Sequence, residues 1–284
     1  MDIVLSKETI DNLRKKGYEM KRKLGSGSYG CVQLAFSKPR NQNVAMKIIE
    51  SSRINQQYIS KFLNREIEVL RSIKPHSHIV KFYEFDKSEK YFFIVIEYCE
   101  NGDIYDYIRT HRNLPEAQAC FWFKQLIAGV EHIHNEGFAH RDLKCENLLL
   151  DANYNVKITD FGFACKLKRE IKSQDKVSSD SLIALSITFC GSILYASPEL
   201  LKCKPYDPTK SDIWSCGVIL WVMIFGMYPL EEYRLKHAIE TDDFTISMPD
   251  QPLTSDEFIE VINGIFADEK DRFTINQLKK VRVE

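Results

Sequence analysis

The sequence predicts an α+β protein of two lobes, a small antiparallel β-sheet with one main helix followed by a larger, mostly helical body. Three observations carry that prediction. Apolar and polar residues alternate in short runs between Tyr18 and Glu97, the period of two that half-buried strands need. A single stretch inside that region, Ser60 to Ile73, has the 3.6-residue period of a helix. After the polar, glycine-containing stretch Glu97 to Asp103, the periodicity turns helical and stays so. With 284 residues, 44% of them hydrophobic, the chain can bury a sizeable core.

Met1 to Gly17 mixes charged residues with isolated Ile, Val and Leu, so it lacks the apolar core of a signal peptide and reads as an N-terminal extension. Alternation begins over Tyr18 to Lys23 and leads into Gly25-Ser26-Gly27-Ser28-Tyr29-Gly30. A G-x-G-x-x-G run can open a dinucleotide-binding unit, but a helix should then follow the glycines and an acidic residue should come about 20 residues later. Neither expectation is met. Cys31 to Phe36 alternates as a strand, Ser37 to Asn43 makes a polar turn, and Val44 to Ile49 returns as a second strand. The result is a glycine-rich hairpin lid whose backbone can close over phosphates without side-chain clash, with Lys47 on the next strand as a cation.

Ser60 to Ile73 supplies the helix, with Phe62, Leu63, Val69, Leu70 and Ile73 apolar and with Glu66 and Glu68 among basic residues. Either glutamate could be plain helix surface, the usual fate of such residues. Ile79 to Phe85 and Tyr91 to Glu97 are two further strands about the turn Asp86 to Lys90. Beyond Asp103 come helices over Ile104 to Thr110 and Pro115 to Glu136, the latter with Pro at its start and Gly137 after its end. Ser211 to Gly217 opens an almost wholly apolar helix, and its stretch Val218 to Phe225 has the length of a buried segment. The chain ends soon after Arg272, so no long regulatory tail is expected.

Thirty-nine basic against 40 acidic residues give a formal charge of −1, which argues against a general nucleic-acid or membrane-surface binder. No apolar run reaches the ~18 residues of a membrane span. The 8 cysteines are scattered, form no C-x-x-C pair and fit reduced thiols in a cytoplasmic protein.

The chemistry concentrates in His140-Arg141-Asp142-Leu143-Lys144-Cys145-Glu146-Asn147, followed thirteen residues after Asn147 by Asp160-Phe161-Gly162. Two carboxylates and an amide on neighbouring loops are what is needed to orient a hydroxyl nucleophile and hold metal ions against a triphosphate. Asp142 would accept the hydroxyl proton, and Asn147 and Asp160 would hold Mg²⁺. Each residue alone could be a turn or cap; what implies phosphoryl transfer is that all three stand in the order and spacing of a known family, which they resemble.

These motifs resemble those of the eukaryotic protein kinases, over roughly Tyr18 to Leu278, with divisions at 18–96, 97–103 and 104–278 and a short end at 279–284. The resemblance implies a bilobal protein kinase fold and an enzyme that uses ATP and Mg²⁺ to phosphorylate protein substrates. It implies nucleotide contacts from Leu24, Gly25, Ser26, Gly27, Gly30, Val32, Ala45, Lys47, Glu97, Cys99, Asp103 and Leu149, with Ile96 at the back of the adenine pocket. By the family's spacing Glu66, and not Glu68, pairs with Lys47. His140 would be structural, packing under Phe161, and Asp212 would brace the catalytic loop.

Lys144, two residues after Asp142, fits kinases that act on serine and threonine; there it contacts the transferring phosphoryl group, and Ser192 would bridge it to Asp142. Glu100 and Asp103 favour basic residues upstream of the acceptor. Thr188 would carry an activating phosphate, added by an upstream kinase and held by Arg141, and Glu199 would pair with Arg272 in the core. The segment between Asp160 and Ser197-Pro198-Glu199 is longer than the family's usual one, and its serine-rich middle, Lys166 to Leu185, is expected to be mobile.

Cys145 in the catalytic loop and Thr188-Phe189-Cys190-Gly191-Ser192 are similar to the testis-specific serine/threonine kinases of the calmodulin-kinase-like group, which implies a role in sperm development. A monomer is expected. The competing readings are a pseudokinase scaffold, which loss of Lys47, Asp142 or Asp160 would favour, and a nucleotide-binding module, which leaves Asp142 and Lys144 unexplained.

Overall fold

A computed structural model describes residues 3–26, 30–55, 58–167 and 192–280. Helix α1 (Lys7–Lys15) leads into strands β1 (Tyr18–Ser26), β2 (Gly30–Ser37) and β3 (Gln42–Glu50). A π-helical turn, Ile59–Leu63, runs into α2 (Asn64–Ser72), and β4 (Phe82–Lys87) and β5 (Tyr91–Glu97) complete an antiparallel sheet of order β1-β2-β3-β5-β4.

Period-two alternation gives this sheet two different faces. Val44, Met46 and Ile48 of β3 point to one core with Phe93 and Val95, and Ile3 and Leu13 cover it. The segment before Tyr18 is therefore packed on the sheet through α1, which starts where the Ser6 hydroxyl accepts from the Thr9 amide at 3.2 Å. Ala45, Lys47 and Ile49 lie on the opposite face, toward α2 and the large lobe.

The strand expected over Ile79 to Phe85 is displaced. Ile79 and Val80 leave the sheet and pair with β8 (Val156–Ile158) of the large lobe: Val80 N donates to Ile158 O at 3.0 Å, and Ile158 N to His78 O at 2.9 Å. The strand proper starts three residues later, at Phe82. Periodicity reports an extended chain but not which sheet the chain joins.

The large lobe contains α3 (Ile104–His111), α4 (Glu116–Asn135), β6 (Phe138–Ala139), β7 (Leu148–Leu150), β9 (Cys165–Lys166) and α5 (Pro198–Leu201). Helices α6 (Pro208–Phe225), α7 (Glu232–Thr241), α8 (Asp256–Ile265) and α9 (Ile275–Leu278) complete it. Helix α6 begins earlier than expected because the Asp207 side chain caps it, accepting from the Thr209 amide at 2.8 Å with Pro208 at its first position. From Ser211 to Phe225 every residue of α6 is buried, so the rest of the lobe is built around it. The described cysteines are all free.

Candidate active site

The loop from His140 to Asn147 is held from beneath by Asp212 of α6. The Asp212 carboxylate accepts from His140 N at 2.8 Å, Arg141 N at 2.7 Å and His134 Nε2 at 2.8 Å. Burial pushes that carboxyl up, but the His134 hydrogen bond and the charges of His134 and His140 outweigh it and hold it below the usual range. Arg141 has φ 64°, a left-handed conformation that costs a non-glycine residue about 1–3 kcal/mol and persists only where its surroundings over-determine it.

His140 has no role at the cleft surface. Its Nδ1 accepts from Asp142 N at 3.3 Å, and its Nε2 donates to Thr159 O at 3.0 Å, which places the proton on Nε2. The ring lies 5.0 Å from that of Phe161, as the resemblance implied. Asp142 is buried, and its Oδ2 accepts from Lys144 Nζ at 2.8 Å and from Asn147 Nδ2 at 3.1 Å; the same Nδ2 also donates to Asp142 O at 2.8 Å. The single turn of 3₁₀ helix at Cys145–Asn147 brings Asn147 back to Asp142.

Across the cleft, Lys47 Nζ donates to both Glu66 oxygens, at 2.7 and 2.9 Å, and lies 3.6 Å from Asp160 Oδ1. Burial alone would lower the ammonium; the charges of Asp160 and Glu66 win and hold it well above the usual lysine range. Lys47 first, and Lys144 and His140 less, hold the Asp160 carboxyl below its ordinary value against burial. Glu66 is pushed up by burial and by Asp160, against the pull of Lys47. Glu68 faces away, as its helix position implies, and pairs with Lys166 of β9.

Sequence reasoning missed Phe62 and Phe163. The Phe62 ring, carried on the π-helical turn that precedes α2, meets the Phe163 ring edge-on at 5.3 Å. From the other side Arg141 Nε donates to Phe163 O at 2.8 Å. Phe163 directly follows Asp160-Phe161-Gly162, so the turn bearing Asp160 is gripped by both lobes. A π-turn next to a site is a recurrent sign of function, but the sequence carries no signal for one here.

The positions expected to meet a nucleotide differ in their surroundings. A Cβ on Gly25 would meet nothing within 4 Å, so packing does not require a glycine there. Gly30 differs: a Cβ there would lie 2.2 Å from Ile48 O on the adjacent strand. Leu24 and Val32 are half-buried, Ala45 is buried, and Leu149 pairs with Asp103 across the cleft floor. The Glu97 side chain is taken up by Lys157, at 2.8 Å, and by Lys81 N, at 3.0 Å, which leaves its backbone as what this position can offer. Cys99 is buried, which pushes its thiol up to about 12. Asp103 caps α3 by accepting from Asp106 N at 2.7 Å, and Ser26 is exposed at the end of β1.

Asp160 and Asn147 offer two hard oxygen donors, a set that suits Mg²⁺ when phosphate oxygens and water supply its remaining ligands. Asn147 Nδ2 is committed to Asp142, which leaves its oxygen for a cation. Glu199 and Arg272 form the expected buried pair, at 2.5 and 3.0 Å. Gly27, Thr188, the Ser192 side chain and the serine-rich middle of the segment lie outside the described residues.

The chain matches the protein kinase domain model over residues 18–283. It is 43% identical over 228 residues to testis-specific serine/threonine-protein kinase 1 of Mus musculus, an alignment covering 80% of this chain and 60% of that protein. It is 35% identical over 271 residues to testis-specific serine/threonine-protein kinase 4 of Homo sapiens, covering 93% and 81%. A third relative, NUAK family SNF1-like kinase 1 of Mus musculus, is 37% identical over 225 residues, covering 79% of this chain and 32% of its own. The chain thus spans about three fifths of the length of testis-specific serine/threonine-protein kinases 1 and 2 of Mus musculus, 60% and 61%.

Proposed function

The chain belongs to the protein kinase domain family, and from that premise we propose that it transfers the γ-phosphoryl group of ATP to serine and threonine hydroxyls of proteins. One observation carries the reading: Lys47, Glu66 and Asp160 form a linked set facing a second set of Asp142, Lys144 and Asn147.

Asp142 is the base. Lys144 and Asn147 occupy its Oδ2, which leaves Oδ1 to take the proton of the incoming hydroxyl. Lys144 also balances negative charge beside the transferring group, and Lys47, aimed by Glu66, holds the α- and β-phosphates. Asn147 and Asp160 would hold Mg²⁺, which when bound neutralises charge on the phosphate oxygens. Leu24, Val32, Ala45 and Leu149 sandwich the adenine, the backbone at Glu97 and Cys99 reads its edge, and Asp103 reaches the ribose. With Lys47, Asp142 and Asp160 all present, the scaffold reading has no feature in its favour.

The finer reading is that the catalytic unit occupies 18–278, that a phosphate on Thr188 paired with Arg141 raises activity, and that the protein works in the cytoplasm as a monomer. Likeness to the testis-specific kinases supports a role in sperm development. Glu100 and Asp103 favour substrates with basic residues before the acceptor. Incubation with Mg²⁺-ATP and a degenerate peptide library tests the reaction and the substrate class together. Phosphoserine and phosphothreonine are the expected products; phosphotyrosine as the main product would overturn the substrate class.

A further inference from the structure

The junction between the lobes carries three histidines that none of the chemistry above uses. His76 and His78 lie in the connection from α2 to β4, and His132 lies on α4. The rings of His76 and His132 stack at 4.7 Å with 18° between their planes, and His78 meets His76 edge-on at 5.6 Å. A backbone carbonyl only accepts, so His132 Nε2 donates to Lys74 O at 2.9 Å and His78 Nδ1 donates to Val156 O at 3.1 Å. His76 Nδ1 has the opposite duty. It accepts from the backbone N–H of His78 at 3.2 Å, so it must carry a lone pair there and not a proton.

The same connection fastens the small lobe to the large one, through the bonds of His78 and Val80 to Ile158 and the contact of Lys74 with Glu136 at 3.2 Å. We propose that His76 is a proton-sensitive fastener: a proton on its Nδ1 removes the bond from the His78 amide, loosens the connection from α4 and β8, and lowers phosphoryl transfer. The effect reaches the cleft because this connection anchors the end of α2, the helix that aims Glu66 at Lys47. The activity arm of the proposal rests on the kinase reading; the structural arm does not.

The charged surroundings disfavour a further cation. Lys74 and His78 come from the connection itself, His132 and Glu131 from α4, Glu136 from the end cap of α4, Lys157 from β8, and Asp151 from the turn after β7. Burial first, then His132 and His78, hold His76 below the ordinary histidine value; Lys157 adds to this and Glu131 opposes it. His78 is lowered as well, by burial and Lys157 against its bond to Val156 and against Asp151. A histidine whose folded-state value lies below its unfolded one stabilises the fold fully above about pH 6.5, and that contribution is lost as pH falls through the lower value.

His76→Asn puts an amide oxygen, which accepts but does not titrate, two residues before the same N–H. Phosphorylation of a peptide with Mg²⁺-ATP should be equal for parent and variant near pH 7.5, and as pH falls through the folded-state value of His76 the variant should pull ahead, up to about fivefold, the factor one hydrogen bond is worth. Superimposable profiles for His76→Asn and the parent overturn the proposal. Hydrogen exchange gives the second arm: protection of the His78 amide should fall in the parent as pH drops through the folded-state value of His76, below about 6.5, but not in His76→Asn. Unchanged protection in the parent overturns the fastener, whereas lost protection in a protein that phosphorylates no peptide at any pH upholds it and sinks the kinase reading.

Discussion

Replacing Arg272 by leucine tests the core of the large lobe. Arg272 is 2% exposed, and its guanidinium makes a two-pronged pair with Glu199, at 2.5 and 3.0 Å. It also donates to Lys210 O at 3.0 Å and lies 5.0 Å over the Trp214 ring. Leucine fills part of the volume but strands the Glu199 carboxylate, and an unpaired buried charge costs about 3–5 kcal/mol. For a domain of this size that is a fall in Tm of roughly 6–20 °C. Arg272→Leu with Glu199→Leu leaves no charge behind, so the double variant should lose less than the sum of the singles.

The pH dependence has a definite sign. Burial raises the Glu199 carboxyl, but Arg272 pulls it below its ordinary value of 4.5, so its stabilisation is present above that value and is lost as pH falls through the lower one. The gap between parent and Arg272→Leu should therefore close at acid pH. Thermal unfolding at neutral pH decides the matter: a fall under about 3 °C, equivalent to roughly 1 kcal/mol, or strict additivity in the double variant, would refute the reasoning.

Gly30→Ala should destabilise the small lobe by about 1–3 kcal/mol, because its Cβ would lie 2.2 Å from Ile48 O, whereas Gly25→Ala should melt like the parent and bind ATP more weakly. Phe62→Leu and Phe163→Leu should each raise the KM for ATP, and the double variant should be little worse than either, a coupling of about 0.5–1.5 kcal/mol in kcat/KM. Additive losses would break that link. Thr188→Ala should leave basal activity in place and abolish the rise that follows treatment with an activating kinase; a full rise would remove Thr188 as the switch.

The parts of the site that were legible are those in which chemistry imposes a residue type at a fixed spacing. Lys47 and Glu66 are an example, legible through the family's spacing, which picks Glu66 over Glu68: a strand lysine and a helix glutamate nineteen residues on meet at 2.7 Å. The Asp212 brace was readable only through the resemblance, since nothing in a helix sequence says which backbone amides a buried aspartate will collect. The Phe62 contact with Phe163 was not readable, because an aromatic pair leaves no spacing rule and the π-turn that presents Phe62 has no composition of its own. Helix α1 escaped for a different reason. It is 9 residues long and carries two apolar side chains, Ile10 and Leu13, of which Leu13 alone is buried, so the apolar pattern does not run long enough to repeat. The early part of the expected β4 was misassigned because Ile79 pairs with Ile158, a residue of the other lobe far along the chain.

The central claim is that Asp142 takes the proton while Asp160 positions the nucleotide, and the two roles separate in one comparison of binding with turnover. Asp142→Asn should bind Mg²⁺-ATP like the parent and lose about 10²-fold or more in kcat, as expected when a general base is removed. Asp160→Asn should lose metal-dependent ATP affinity together with turnover. An Asp142→Asn protein that phosphorylates peptides at the parental rate would contradict the account.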